Sequence, residues 1–203
     1  WWDLGTSPVL TTTSVVVAVM QSGPSYLAAF DRATGKLLWK QDRLLGAPEE
    51  AAQSYSTPLV VAGDAKLGEP AEMLVVLGAD HVTAHDAADG RELWRVGGLN
   101  PGGERFFRSI ASLRKDLGAD VPTPTAKDGK VYVCTDKGTV ACLDAATGKT
   151  LWSGEVDKNR NAYSASPILV AGRLVVTRED GAAAVIDVAD GFKLVGGGSV
   201  DEM

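Results

Sequence analysis

Apolar residues in this chain come in short β-branched runs, Val15–Met20, Met73–Leu77, Val131–Thr135 and Leu174–Thr177. Glycine and aspartate turns such as Gly63-Asp64, Asp128-Gly129, Asp136-Lys137-Gly138 and Asp180-Gly181 set these runs apart. Short alternating runs between turn residues read as strands. Upstream of each run stands a hydroxyl residue followed by proline: Ser7-Pro8, Thr57-Pro58, Thr123-Pro124 and Ser166-Pro167. Proline has no N–H to give to a sheet, so it fits the first residue of a strand and no central one. Each such pair marks where a strand begins.

A third element follows each run, with the pattern apolar-Asp-x-x-(Thr or Asp)-Gly-x-x-Leu-Trp. Its copies are centred on Asp31, Gly35 and Trp39, on Asp86, Gly90 and Trp94, on Asp144, Gly148 and Trp152, and on Asp187 and Gly191. In the last copy Val195 takes the tryptophan position. The aspartate can accept hydrogen bonds from the backbone of its own turn, and glycine takes the positive φ that the turn requires. One unit is therefore a proline-led strand, a valine-rich strand, a strand ending at the aspartate and a strand carrying the tryptophan. Four units predict about sixteen short antiparallel strands, an all-β chain.

Successive repeat aspartates lie 55, 58 and 43 residues apart, near the period of about 40 to 50 residues of four-stranded propeller blades. Turn density and period-2 runs exclude a helical solenoid. The expected blades cover residues 5–45, 54–98, 121–156 and 163–198, as a partial or open β-propeller, with an irregular insertion at 99–120. In that insertion Phe106, Phe107, Ile110, Leu113 and Leu117 fall at helical spacing, whereas Arg108-Ser109-Ile110-Ala111-Ser112 reads as the start of a blade remnant. The tryptophans are expected to act as wedges between blades, each stabilising an interface by roughly 2 to 3 kcal/mol from area alone.

Composition narrows the functional classes. The net charge is −6, and the 20 basic residues are scattered, so no basic stripe is available for a nucleic-acid backbone. No apolar stretch approaches the roughly 20 residues that span a bilayer. The 23 glycines and five tryptophans are an odd pairing at first sight; the repeat explains it, with glycines making the turns and three of the five tryptophans anchoring successive blades. The chain opens on Trp1-Trp2 and closes on Gly196-Gly197-Gly198-Ser199 and four further residues. That reads as a piece of a longer protein, with the glycine run as a flexible exit toward a further blade.

The Ser-Pro strand start, the valine-rich hairpin and the Asp-x-x-Thr-Gly-x-x-Leu-Trp turn resemble the pyrroloquinoline-quinone-like (PQQ-like) propeller repeat across all four units. That repeat is found in quinoprotein alcohol dehydrogenases, in the propeller lipoprotein of the outer-membrane β-barrel assembly machinery and in many bacterial extracytoplasmic proteins. The resemblance implies a periplasmic or extracytoplasmic location and a ring of about seven or eight blades. Four blades are half of such a ring. They leave two faces to be covered by remaining blades of the same propeller or by self-association of two arcs, unless the ring has unusually few blades.

The quinoprotein branch of the resemblance implies PQQ, Ca²⁺ held by carboxylate and amide oxygens, an aspartate base and, in many members, a disulfide between adjacent cysteines. This chain has no adjacent cysteine pair, and its repeat aspartates occupy one position in every blade, as turn architecture requires. The expectation is thus a scaffold with no catalytic, cofactor or metal residues of its own, a platform for a protein or ligand. The alternative is a segment of a PQQ-dependent oxidoreductase whose cofactor and Ca²⁺ site lie in other blades of the parent.

Cys134 and Cys142 are expected to be diagonal neighbours across a hairpin, too far apart for a disulfide and buried as free thiols. His81 and His85, four residues apart on a strand, are some 13 Å apart and cannot share a metal. They are expected to be partly exposed. Two inter-blade connections are candidate contact loops: Arg105, Phe106 and Arg108 in one, and Arg160 and Tyr163 in the other.

Overall fold

The structure, a computed structural model, describes residues 5–21, 23–47, 52–97 and 122–199. These form four four-stranded antiparallel sheets, each a meander in chain order. The first holds β1 (Val9–Leu10), β2 (Ser14–Val19), β3 (Tyr26–Asp31) and β4 (Leu37–Asp42). The second holds β5 (Leu59–Ala62), β6 (Glu72–Gly78), β7 (His81–Asp86) and β8 (Glu92–Gly97). Then come β9 (Thr125–Lys127), β10 (Lys130–Cys134), β11 (Thr139–Asp144) and β12 (Thr150–Glu155). The last sheet is β13 (Ile168–Val170), β14 (Arg173–Thr177), β15 (Ala182–Asp187) and β16 (Lys193–Ser199). Each predicted proline stands immediately before the first strand of its blade, where its missing N–H costs no ladder bond. The insertion at 99–120, with both of its readings, lies outside the described residues.

The core lies between blades rather than within them. Side chains alternate along each strand, so one blade feeds two clusters: Leu74 and Val76 pack toward blade 1, while Met73, Val75 and Leu77 pack toward blade 3. The middle blades are buried on both faces and the outer ones on one. Burial is therefore continuous along β6 and alternating along β2. Cross-strand registers give each blade one transverse row facing the next blade: Val16, Ala29 and Trp39, then Val75, Ala84 and Trp94, then Tyr132, Cys142 and Trp152.

In the fourth blade that row is Val175, Val185 and Gly196. The alignment by sequence, with Val195 in the tryptophan place, is corrected here. Asp187 pairs with Lys193, so the turn is one residue longer than the turns in which Asp31 meets Lys36 and Asp144 meets Lys149. The offset places Val195 in the bulge and Gly196 opposite Val185. The glycine run is likewise not a flexible exit: Gly196, Gly197 and Gly198 are ladder residues of β16, paired with Val185, Ala184 and Ala183.

Candidate functional site

The repeat residues build inter-blade fasteners. Asp31 Oδ1 accepts from the N–H groups of Ala33 (3.1 Å) and Thr34 (2.7 Å) and from the Thr34 hydroxyl (2.7 Å). These bonds hold its carboxyl below the usual carboxylate range. Asp144 repeats the arrangement with Thr147, and Asp86 and Asp187 each accept one turn N–H. Gly35, Gly90 and Gly148 close these turns at φ of +70, +78 and +72° and donate back to the aspartate carbonyl.

The same glycines have a second use. The Trp39 indole lies on Gly90 so closely that a Cβ there would fall 2.6 Å from the ring, and the Trp94 indole covers Gly148 at 2.5 Å. Each indole N–H donates to the carbonyl after the repeat aspartate of the following blade, Trp39 to Ala87 (3.1 Å) and Trp94 to Ala145 (2.9 Å). Glycine is thus required twice, for its backbone and for its bare face. A hydroxyl ladder runs beside these locks: Ser7 N–H donates to Thr57 Oγ1, Thr57 N–H to Thr123 Oγ1 and Thr123 N–H to Ser166 Oγ, at 3.0 to 3.1 Å.

The third junction differs. The space a Cβ would need at Gly191 (φ +142°) is open, with no ring on it. Phe192 instead packs onto Gly154, and Trp152 meets Phe192 edge-on (6.3 Å) and Tyr132 at a tilt (6.0 Å). Among the described residues the Trp152 indole N–H makes no hydrogen bond.

At the other end of the sheets, hairpin tips and inter-blade connections form a polar surface. Arg43, 3% exposed, leaves blade 1 and reaches into the β6–β7 hairpin of blade 2. It donates to the carbonyls of Val76 (3.2 Å), Gly78 (3.0 Å) and His81 (3.3 Å) and to Thr83 Oγ1 (3.0 Å). The hairpin it holds turns through Ala79 and Asp80, both at positive φ without being glycine. Such a turn persists only where surrounding bonds over-determine it. Thr83 Oγ1 also meets His85 Nε2 (3.0 Å), and His85 Nδ1 lies 3.0 Å from Gly90 O. Since a carbonyl only accepts, His85 carries its proton on Nδ1 and is neutral. Burial lowers its pKa to about 4. His85 is 1% exposed, which corrects the expectation of a partly exposed residue: Thr83 and the Gly90 carbonyl, both of its own blade, supply the polar partners that let an imidazole sit in the core.

Cys134 and Cys142 are free and buried, in the predicted register with Cys134 opposite Val140. Burial pushes the Cys134 thiol up to about 12 and raises Cys142, which makes both poor nucleophiles. Buried Asp136, at the β10–β11 tip, is raised by desolvation despite Lys137 at 3.7 Å.

Between blades 3 and 4, Arg178 is gripped by Asp157 and by both oxygens of Asp180 (2.8 Å each). Asn161 donates to Asp180 (3.0 Å) and Tyr163 OH to Asp157 (2.7 Å). Tyr163, 3% exposed, is packed over Gly138 and belongs to the inter-blade core, while Arg160 is exposed. Of the proposed contact residues in this loop, only Arg160 presents its side chain. Arg105, Phe106 and Arg108 lie outside the described residues. Nothing in the sequence pattern marked Arg43, whose acceptors lie in the next blade, or Arg178, which joins Asp180 of its own turn to Asp157 of the preceding connection.

A quinone and Ca²⁺ need converging carboxylate and amide oxygens. The repeat aspartates accept from their own turns, one per blade, and among the described residues no three His, Cys, Asp or Glu side chains converge as metal donors. The described residues do not fit that cofactor centre. No described helix is long and apolar enough to cross a membrane.

The sequence profile of the family described as outer membrane protein assembly factor BamB matches residues 78–194. The chain is 28% identical over 158 residues to outer membrane protein assembly factor BamB of Kangiella koreensis, covering 74% of this chain and 32% of that protein. In fold it is similar to BamB from Moraxella catarrhalis, with TM-score 0.68 and 16% identity, over 98% of this chain and 54% of that one. It is equally similar to quinohemoprotein alcohol dehydrogenase from Comamonas testosteroni, with TM-score 0.68 and 19% identity, over 98% and 36%. The chain therefore spans about a third of the curated relative and about half of the Moraxella structure.

Proposed function

We propose, from the premise that this chain belongs to the family of outer membrane protein assembly factor BamB, that it is a non-catalytic propeller scaffold working outside the cytoplasm in outer-membrane protein assembly. One observation carries this reading: the chemically capable side chains are engaged in fastening blades. The four repeat aspartates bond their own turns, His85 is neutral and buried against Thr83 and Gly90, and Arg43 and Arg178 tie blades together. A rigid body of this kind presents its connecting loops at fixed spacing.

Arg160, exposed on a loop anchored by Tyr163 and Asn161, is the proposed contact residue. A photo-crosslinking amino acid placed at position 160 in cells should capture a component of the outer-membrane assembly machinery. Capture only of quinone-dependent redox partners, or alcohol-dependent dye reduction by the protein after addition of PQQ and Ca²⁺, would replace the scaffold with the oxidoreductase reading.

A further inference from the structure

Blade 2 and its approach carry three polar side chains at positions whose described equivalents are apolar. Thr83 and His85 stand on β7 where the other blades have Ala28 and Phe30, Ala141 and Leu143, and Ala184 and Ile186. Arg43 follows β4 as Val156 follows β12: the Arg43 N–H donates to Ser25 O and the Val156 N–H to Gly138 O, and the Val156 side chain packs against the core between blades 3 and 4. Thr83, His85 and Arg43 are all buried. Burying such groups costs stability unless they are bonded, and these three are bonded in series. Arg43 Nε donates to Thr83 Oγ1, Thr83 donates to His85 Nε2, and His85 Nδ1 donates to Gly90 O, each at 3.0 Å.

This order of donors holds only while His85 is neutral. A proton arriving from solvent must go to Nε2, since Nδ1 already carries one. Nε2 then becomes a donor aimed at the oxygen that Arg43 already fills. The displaced Thr83 proton is turned toward Val76 O, 3.5 Å away, and that carbonyl already accepts from Arg43 Nη2 at 3.2 Å. Two bonds of Arg43 are thus contested at once, by a second cation on Thr83 and by a hydroxyl on Val76. His85 is fixed in the middle of a sheet, whereas Arg43 belongs to a connection and is followed by exposed Leu44. Of the two cations, Arg43 is the one free to move away.

We propose that Arg43, Thr83 and His85 form a proton-operated latch on the β6–β7 hairpin: protonation of His85 withdraws Arg43 and lets Ala79 and Asp80 leave their left-handed turn. That turn, at φ of +56 and +59° without glycine, keeps its strain only while the bonds around it hold. The latch joins the two ends of blade 2, the Gly90 turn beneath Trp39 and the hairpin tip on the polar surface. The charged groups facing His85 are Arg43 from blade 1 and Glu92 and Arg95 from β8. Burial and the two arginines oppose its proton, Glu92 favours it, and the pKa falls to about 4. The latch is therefore closed at neutral pH and opens in acid. The tip has titrating groups of its own, Asp80 beside His81 and, from blade 3, Asp136 beside Lys137; burial raises both carboxyls.

The test follows side-chain and backbone resonances of the full chain by NMR, from neutral pH to about one unit below the His85 midpoint. The Arg43 Nε–H should be protected from solvent at neutral pH and lose that protection as the His85 ring titrates. The Ala79 Cα and Cβ shifts should leave their left-handed values at the same midpoint, while Trp94 and Phe192, at the second and third junctions, keep native shifts. His85→Leu, which restores the residue type of the other blades, should hold Arg43 and Ala79 in place throughout and so separates the latch from titration of Asp80 and Asp136. Arg43→Met should raise the His85 midpoint by roughly one pH unit, because two cations that oppose each other do so reciprocally. The wild-type titration decides the matter even if a variant does not fold. An Arg43 proton still protected after His85 is charged, a tip change that survives in His85→Leu, an unmoved His85 midpoint in folded Arg43→Met, or Trp94 and Phe192 moving with the tip would each overturn the inference. The latch lies within blade 2 and its approach, so its failure leaves cross-linking at position 160, and the scaffold reading tested there, unaffected.

Discussion

The first two blade junctions and the third are built from similar sequence motifs and are fastened differently. Trp39 and Trp94 each press a flat ring onto a glycine of the next blade and donate to a carbonyl beside it. Trp152 has the same motif around it but finds no such seat, because the Asp187 turn is one residue longer and Phe192 occupies the interface. Its own row also differs: Tyr132 stands where blades 1 and 2 have Val16 and Val75, and the two rings lean together. A repeat residue therefore has its role set half by its own blade and half by the blade that receives it.

The contrast can be broken most forcefully at Trp94, which is 8% exposed. Trp94→Ala removes a buried ring and a cross-blade hydrogen bond, and should lower unfolding free energy by about 3 to 5 kcal/mol in a denaturant titration. Trp152→Ala should cost visibly less, since its ring is only partly buried and its N–H has no acceptor among the described residues.

Mild acid should loosen the first junction. His85 sits under Gly90, the seat of Trp39, whereas the corresponding residues of the other blades are Phe30, Leu143 and Ile186. In the unfolded chain His85 takes a proton near its ordinary value of 6.5, while in the native chain it resists until about 4. The unfolded state thus binds more protons in that window, and stability falls as pH drops from 6.5 toward 4, by roughly 3 kcal/mol in full. His85→Leu should flatten this part of the stability–pH curve while leaving the second and third junctions unchanged.

A subtler pair isolates the seat from the backbone. Gly148→Ala and Gly35→Ala impose the same left-handed strain, at φ of +72 and +70°. Only the first drives a methyl against an indole. Gly148→Ala should therefore cost about 1 to 3 kcal/mol more than Gly35→Ala in the same titration. Smallest is the hydrogen bond itself. Trp94→Phe should lose about 1 kcal/mol more than Trp152→Phe, the worth of one ordinary bond.

What was legible in the sequence was local. Pro8, Pro58, Pro124 and Pro167 announced strand starts because a missing N–H is a property of one residue, and the Asp–Gly turns were readable because both partners lie within five positions. What escaped depended on distant chain. His85 is buried because it shares the face of blade 2, beside Leu74, that packs on the residues of blade 1 some 50 positions earlier. Tyr163 looked like a contact residue and is held in the core by Asp157 and the bare face of Gly138. The tryptophan position of blade 4 was misplaced by one residue because turn length, not motif alignment, sets register.

The central claim is that two indoles are locked and one is not, and exchange of the indole protons reads this directly. Solvent exchange of the Nε1–H groups, followed by NMR in the wild-type chain, should show Trp39 and Trp94 strongly protected and Trp152 exchanging quickly. Protection of Trp152 equal to that of Trp94, or rapid exchange at Trp94, would contradict the account.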